Sequence, residues 1–245
     1  MHPKTPLLFA ISLGALFLTG CGTRSISNSD YDAAYGSGRY GKVAGNYAGE
    51  LSELDVIGAS LDAGTSETEI QNALRDHAPA RLGRTSKVLL IQSGADFPDS
   101  PMLEALSARF AVAGFSGKPV RGSATGPDYA RALRLVAARG GYDKIVYYWG
   151  VLESERKNKI TSVVSWVPIV GQVIPDEREH MRIRLKAVIV DVASGKWALL
   201  APPPSSDSSL STVVSRRSVD QDLVHGLKAQ GYRDLSRLLA EQYTE

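Results

Sequence analysis

Two short stretches in the middle of the chain, residues 87–91 and 145–149, are almost wholly apolar. A strand that faces water on one side alternates apolar and polar residues, whereas an uninterrupted apolar run of this length is typical of a strand covered on both faces. We therefore predict that these two stretches form buried strands of a sheet.

Apolar residues at helical spacing lie before and between these strands. They predict a helix over residues 66–76 with Ile70 and Leu74 on its packed face, a second helix over 100–114 and a third over 127–140. Serine or proline opens each of these helices, and glycine closes the second and third. The chain therefore alternates helices with buried strands.

The last third of the chain predicts a half-exposed strand, a hairpin and a long helix. Apolar residues at alternate positions from Met181 to Ile189 are separated by basic residues, which indicates one buried and one exposed face. Ser194–Gly195 predicts a tight turn, and Ser218 opens the final helix with a capping box. With a brief strand expected near Val120, this order predicts an α/β fold: a single mixed sheet with helices packed on it.

The first twenty residues have the pattern of a secretory signal peptide. A weakly positive start precedes an apolar run at 7–18, shorter than the about 20 residues that span a bilayer. Leu18–Cys21, Leu-Thr-Gly-Cys, has the form of a lipobox, so we predict that residues 1–20 are removed and that Cys21 is lipidated. An ordinary signal with a chance cysteine is the alternative. Against it, Cys21 is the only cysteine, and a free thiol would be a liability in an oxidising compartment.

Residues 21–48 are rich in Ser, Gly, Asn, Asp and Tyr and poor in aliphatic residues. Such a segment buries too little apolar surface to offset its ordering entropy, so we predict a flexible tether followed by a globular domain over 49–245. Residues 36–41 match GxGxxG, but no apolar strand precedes them and no amphipathic helix follows. We predict no nucleotide binding here and no cofactor elsewhere.

The charge balance bears on the class of partner. The formal net charge is +2 at pH 7, and it falls to +1 when Lys4 leaves with the signal peptide. So small a net charge gives no global field that recruits nucleic acid. We therefore predict no nucleic-acid partner.

Residues 160–175 carry no charged side chain, although charges flank them on both sides. The prolines in the segment disfavour a helix, and the flanking pattern predicts an excursion between two antiparallel strands. One interpretation folds it back over the sheet as core cover. The other makes it a docking surface for a partner or a membrane, with Trp166, Pro168, Ile169 and Val170 as contact residues.

The candidate catalytic residues match no established motif. His77, His180 and His225 form neither HExxH nor an i, i+4 pair, and Ser93 lacks the first glycine of a nucleophile elbow. The densest set of possible ligands, residues 176–180, lies beside a proline, where a solvated charged turn is the simpler interpretation. We predict no catalytic residues and no metal, and keep a metal-assisted, peptidase-like hydrolase around His180 as the alternative function.

The chain resembles an uncharacterised family of Gram-negative outer-membrane lipoproteins. The resemblance rests on residues 147–153, 164–171, 174–177 and 181–197. More distantly, the order of elements is similar to the periplasmic domain shared by the curli-secretion lipoprotein, the lipoprotein activators of penicillin-binding proteins and the amino-terminal domain of the Tol translocation protein. Those relatives act by binding other proteins, so the similarity of topology is an analogy for function.

These observations favour a lipid-anchored binding or scaffold protein of the cell envelope over an enzyme. Gly22, in place of the aspartate associated with inner-membrane retention, implies by resemblance to Gram-negative sorting rules an outer-membrane anchor with the body in the periplasm. A protein partner in the envelope is expected, and self-association through the half-exposed strand or the uncharged excursion is a further possibility to test.

Overall fold

The computed structural model describes residues 21–28, 50–59, 64–76, 78–118, 126–158, 177–211 and 216–243. The strands are β1 (Cys21–Ser25), β2 (Lys87–Gln92), β3 (Ala111–Phe115), β4 (Lys144–Asn158), β5 (Glu177–Asp191), β6 (Trp197–Leu200) and β7 (Ser205–Ser211). The α-helices are α1 (Glu53–Ile57), α2 (Glu67–Arg75), α3 (Ser100–Ser107), α4 (Pro127–Arg139) and α5 (Arg216–Tyr243). A single turn of 3-10 helix, Ile26–Asn28, comes directly after β1.

The long strands β4 and β5 form the centre of the sheet and pair antiparallel along their whole length, from Lys144↔Asp191 to Asn158↔Glu177. On the outer side of β4, β2 pairs in parallel with the first part and β1 pairs antiparallel with the second. On the outer side of β5, β6 pairs with the last part and β7 with the first part, both antiparallel. β3 completes the β2 side as a parallel strand.

Both faces of the sheet are covered where β2, β4 and β5 run side by side. One face carries Leu90, Val146 and Ile189 against side chains of α3 and α5. The other carries Ile91 and Tyr147 against side chains of α1 and α4. Burial on two faces removes the pressure for polar residues at alternate positions, which explains the apolar runs at 87–91 and 145–149. The predicted α/β fold with a single mixed sheet is confirmed.

The half-exposed strand and its turn are also confirmed. On β5 the apolar residues at alternate positions, Met181 among them, are buried, whereas Arg182 and Arg184 are exposed. Gly195 has a φ of 74° in the turn after β5, a left-handed value that side chains disfavour. The backbone amide of Asp191 donates to the carbonyl of Lys196 across this turn at 2.9 Å.

Three details of the predicted helices are wrong. Gly114 does not end a helix, because α3 stops at Ser107 and Gly114 lies in β3, where a Cβ would stand 3.0 Å from Cδ of Pro98. α2 has the predicted N-cap at Ser66, which forms a capping box with Glu69, but its apolar face is exposed rather than packed. α5 begins at Arg216, before the predicted cap. The strand expected near residue 120 lies outside the described residues.

The first part of the predicted tether lies in the folded domain. Residues 21–28 belong to the sheet and its first turn, so they are not a flexible spacer. The rest of the predicted tether, 29–48, and the signal peptide, 1–20, lie outside the described residues. Within the described part of the chain, no helix has the length and hydropathy needed to cross a membrane.

Candidate anchoring site

The residue predicted to carry lipid is the first residue of β1. Cys21 pairs with Glu155 and Ser25 with Val151, so β1 takes the edge of β4 just beyond the point where β2 leaves it at Tyr148. The strand has the polar sequence CGTRS, and it is held in the sheet by main-chain hydrogen bonds and by the buried residue that comes next, Ile26. The site is therefore a short strand with the lipidation candidate at its head.

Ile26 fixes the end of this strand in the core. Its side chain is 2% exposed and packs over Gly150 of β4. A Cβ at residue 150 would lie 2.7 Å from Cγ2 of Ile26 and 2.5 Å from Cδ2 of Leu185, so the close approach requires glycine. Full burial of an isoleucine side chain stabilises by about 1.5–3 kcal/mol.

Two serines beside Ile26 tie the segment to the rest of the domain. The Ser25 hydroxyl donates to the carboxylate of Glu50, and the Ser27 hydroxyl donates to the main-chain carbonyl of Ser93, just beyond the end of β2. Oγ of Ser25 also accepts from the backbone amide of Ser27 at 3.1 Å. These contacts satisfy the polar groups that the turn at residues 26–28 would otherwise expose.

Lys228 of α5 holds the main chain of the same turn. Its Nζ donates to the carbonyl oxygen of Ile26 at 2.8 Å and lies 2.9 Å from Oδ2 of Asp99. The Tyr232 hydroxyl, one helical turn further along α5, donates to the same Asp99 oxygen at 2.5 Å. The Lys228 side chain is only 12% exposed, so this charge is largely removed from water and depends on both partners.

Gln92, the last residue of β2, joins these contacts into one network. Its Oε1 accepts from the Tyr148 hydroxyl at 2.5 Å and from the backbone amide of Asp99 at 2.8 Å, while its Nε2 donates to Oγ of Ser27 at 3.1 Å. Burial, together with the nearby Asp99 carboxylate, raises the pKa of Tyr148 well above its ordinary value. The phenol therefore stays protonated and donates its hydrogen bond throughout the physiological range.

The carboxyl group of Glu50 is partly buried at the site. Burial raises the pKa of its carboxyl above the ordinary value, and the hydrogen bond from Ser25 and the nearby Lys186 ammonium offset this only in part. Lys186 also pairs with Glu53 and lies 5.5 Å from the ring centroid of Trp149. β1, the candidate anchoring strand, is thus held against a carboxyl group that ionises less readily than an exposed one.

A comparison with protein families matches residues 52–242 to the YafT bacterial lipoproteins. The match covers well over half of the chain. This chain belongs to the YafT lipoprotein family. As a YafT-family lipoprotein, it is a membrane-associated protein of the bacterial envelope, in agreement with the predicted family. The matched region begins after β1, so the family assignment and the geometry of the anchoring strand are independent observations.

No curated protein matches the YafT-family chain. Among solved structures, a dodecamer of PelC from Paraburkholderia phytofirmans is 13% identical, with 64% of this chain and 94% of that chain covered, at a TM-score of 0.26. A second PelC dodecamer from the same organism, the L103M variant, has a TM-score of 0.23 at the same identity, with 64% and 95% covered. At such TM-scores the likeness carries no argument for this chain.

Of the other predicted site residues, the structure describes only Ser93 and His225 in full. Trp166, Pro168, Ile169 and Val170 lie outside the described residues, as do His77 and the side chain of His180. Among the described residues, no three His, Cys, Asp or Glu side chains are grouped so as to hold a metal ion. Ser93, the residue nearest to a hydrolase motif, is buried at 1% exposure at the end of β2, whereas His225 is exposed on α5.

The residues that hold the anchoring strand are absent from the sequence-based predictions. Lys228 and Asp99 are 129 residues apart, and no spacing rule connects them. One signal was available: Ile26 is the only isoleucine or leucine in the polar stretch 22–46. A lone large aliphatic residue in such a stretch marks a point where the chain returns to the core.

Proposed function

We propose that this YafT-family lipoprotein is acylated at Cys21, is sorted to the outer membrane with its body in the periplasm, and serves there as a binding or scaffold protein rather than an enzyme. The observation that carries the proposal is the position of Cys21. The cysteine of a lipobox stands at the head of a strand that the whole domain holds in place.

The use of polar side chains in the domain supports a scaffold role. In an open α/β sheet, ligands bind at the carboxyl ends of parallel strands. Here Gln92 and Tyr148, which end the parallel pairing of β2 with β4, form hydrogen bonds with each other, and Gln92 also bonds to Asp99 and Ser27. The side chains of Gln92 and Tyr148 are thus engaged in holding the chain together.

Acylation is tested by metabolic labelling with radioactive palmitate. We expect label in the wild-type protein and none in Cys21→Ser. The matched control is the double variant Cys21→Ser with Ser194→Cys, which restores a cysteine at an exposed turn outside the lipobox. If the double variant takes up label, the lipid does not depend on position 21 and the proposal is wrong.

The uncharged segment supplies the proposed partner contacts, Trp166, Pro168, Ile169 and Val170. We expect Trp166→Asp to leave the thermal unfolding temperature unchanged and to abolish in-cell crosslinks to an envelope protein. Trp197→Asp is a matched control, because Trp197 is 46% exposed on the edge strand β6. A large loss of thermal stability in Trp166→Asp would instead assign the segment to the core.

Self-association is part of the same proposal and is measured separately. Light scattering on the detergent-solubilised lipoprotein gives the number of chains per particle after correction for bound detergent. A single chain per particle at all concentrations would exclude homo-oligomers and leave a different envelope protein as the partner.

A further inference from the structure

We infer that one end of the sheet, where β1 begins, β4 ends, β5 begins and β7 ends, lies in the headgroup layer of the membrane that holds Cys21, with no spacer between lipid and domain. We call this the anchor end. The inference rests on the proposed acylation of Cys21 and adds the surface of the domain that meets the bilayer.

The strand register brings one end of each of four strands to the anchor end. Cys21 pairs with Glu155, three residues before β4 ends at Asn158. Asn158 pairs with Glu177, the first residue of β5, and Glu177 pairs with Ser211, the last residue of β7. Any lipid on residue 21 is therefore attached about three residues, or roughly 10 Å, from the tip of the sheet.

No flexible segment separates the proposed lipid on Cys21 from the core. Every residue from Cys21 to Ser25 is paired with β4, and Ile26 comes next, buried and held through its carbonyl by Lys228. A flexible tether would let the domain stand off the membrane and turn freely. Here the attachment point is part of the sheet, so the acyl chains fix which end of the domain faces the bilayer.

The length of the strands allows only one end of the sheet to reach the bilayer unless the sheet lies nearly flat on the membrane. β4 and β5 each contain 15 residues, and at about 3.4 Å per residue they are roughly 50 Å long. The polar layer on each side of the hydrocarbon is only about 5–8 Å thick. For Cys21 and the tip of the sheet, roughly 10 Å apart along β4, to share this layer, the strands must tilt away from the membrane normal. The opposite end of the sheet, where Ser194 forms the turn after β5, still stands far from the lipid.

The residues of the anchor end suit headgroups rather than hydrocarbon. Residues 155–158 of β4 include one acidic and two basic residues, and residues 177–180 of β5 include two acidic and one basic residue. Charges are costly in the hydrocarbon interior, which limits the depth to the interface. Since the acidic and basic residues balance, anionic lipid should add little to membrane binding. The acyl chains on Cys21 provide the attachment.

The test uses the full lipoprotein in phosphatidylcholine vesicles. Because the Cys21 thiol is consumed by the lipid, a cysteine introduced by Asn158→Cys or Ser194→Cys is the only free thiol and accepts an environment-sensitive fluorophore. With headgroup-spin-labelled lipid as quencher, we expect several-fold stronger quenching at residue 158 than at residue 194, unchanged when phosphatidylglycerol is added. Equal quenching at both positions, or none at either, in protein that floats with the vesicles would overturn the inference.

A spacer variant tests whether the attachment geometry is responsible. A flexible Gly/Ser insertion between Cys21 and Gly22 should keep the protein on vesicles and reduce the quenching at residue 158. Unchanged quenching would show that the anchor does not set the orientation. Failure of the proposed acylation gives a different result, because the protein would then neither float with vesicles nor carry lipid mass.

Discussion

The contribution of the anchoring strand to the fold is tested most directly by Ile26→Ala. The Ile26 side chain is 2% exposed and packs in the same core as Leu185 and Leu227. If β1 is an integral strand, shortening this side chain should destabilise the whole domain. If β1 is a loosely attached terminus, the strand should detach and the domain should unfold as before.

The expected magnitude comes from the burial. Three carbon atoms leave the core, and at about 0.8 kcal/mol each the loss of burial is roughly 2.4 kcal/mol. The cavity against Gly150 adds to this, and isoleucine-to-alanine changes at buried sites cost about 2–5 kcal/mol. We expect about 2–4 kcal/mol, with an upper limit set by the free energy that docks β1 on β4.

Urea unfolding monitored by tryptophan fluorescence measures the loss. Trp149 is a suitable reporter, because it is buried and its indole Nε1 donates to the carbonyl of Leu51 at 2.8 Å. With an m value of about 2 kcal/mol/M, the midpoint should fall by about 1–2 M. Leu74→Ala is the matched control, since Leu74 is 66% exposed on α2 and its loss should change the free energy of unfolding by less than about 0.5 kcal/mol. Equal midpoints for Ile26→Ala and Leu74→Ala would refute the reasoning.

Three further changes test the electrostatics of the domain. Lys228→Met should lower the free energy of unfolding by about 1–3 kcal/mol, because the partly buried Asp99 carboxylate loses its cation but keeps its hydrogen bond from Tyr232. A loss below about 0.5 kcal/mol in urea unfolding would contradict this. Glu50→Gln should be more thermally stable than wild type, and by a larger margin at pH 7 than at pH 4. The reason is that the raised pKa of Glu50 makes the wild-type protein lose stability as pH rises through that pKa. An equal margin at both pH values would show that ionisation of Glu50 is not coupled to folding. For Asp191, burial alone would raise the pKa, but hydrogen bonds from Lys144 and Ser194 outweigh it and hold the pKa at about 2. Its contribution is present above about pH 4 and lost as pH falls towards 2, so Asp191→Asn should flatten the acid side of the stability profile, and an unaltered profile would count against the interpretation.

The central sheet could be predicted from the sequence because its signal is local. The apolar runs that became β2 and β4 are buried on both faces, and the alternation in β5 reports its one exposed face directly. The turn at Gly195 was predictable because it needs a positive φ, which glycine adopts without strain. In each case the cause of the structure lies within a few neighbouring residues.

β1 and β7 could not be predicted, because their sequences CGTRS and SSDSSLS carry no apolar alternation. Each is a strand because a long neighbour offers an open edge: β4 beyond Tyr148 for β1, and β5 up to Ile183 for β7. The opposite error occurred in α2, where a helical apolar stripe predicted packing that the structure does not show. Pairing with partners more than twenty residues away in sequence decides such elements, and a single sequence does not display it.

The central claim, that Cys21 is the lipidated first residue of the mature protein, is tested most directly by mass spectrometry of tryptic peptides from the native protein. Trypsin cleaves after Lys4 and Arg24. We predict the peptide Cys21–Arg24 with the mass of a diacylglyceryl thioether and an amide-linked acyl chain on Cys21. Recovery instead of an unmodified peptide spanning Thr5–Arg24 would show that the leader is retained and the cysteine bare, and would contradict the account.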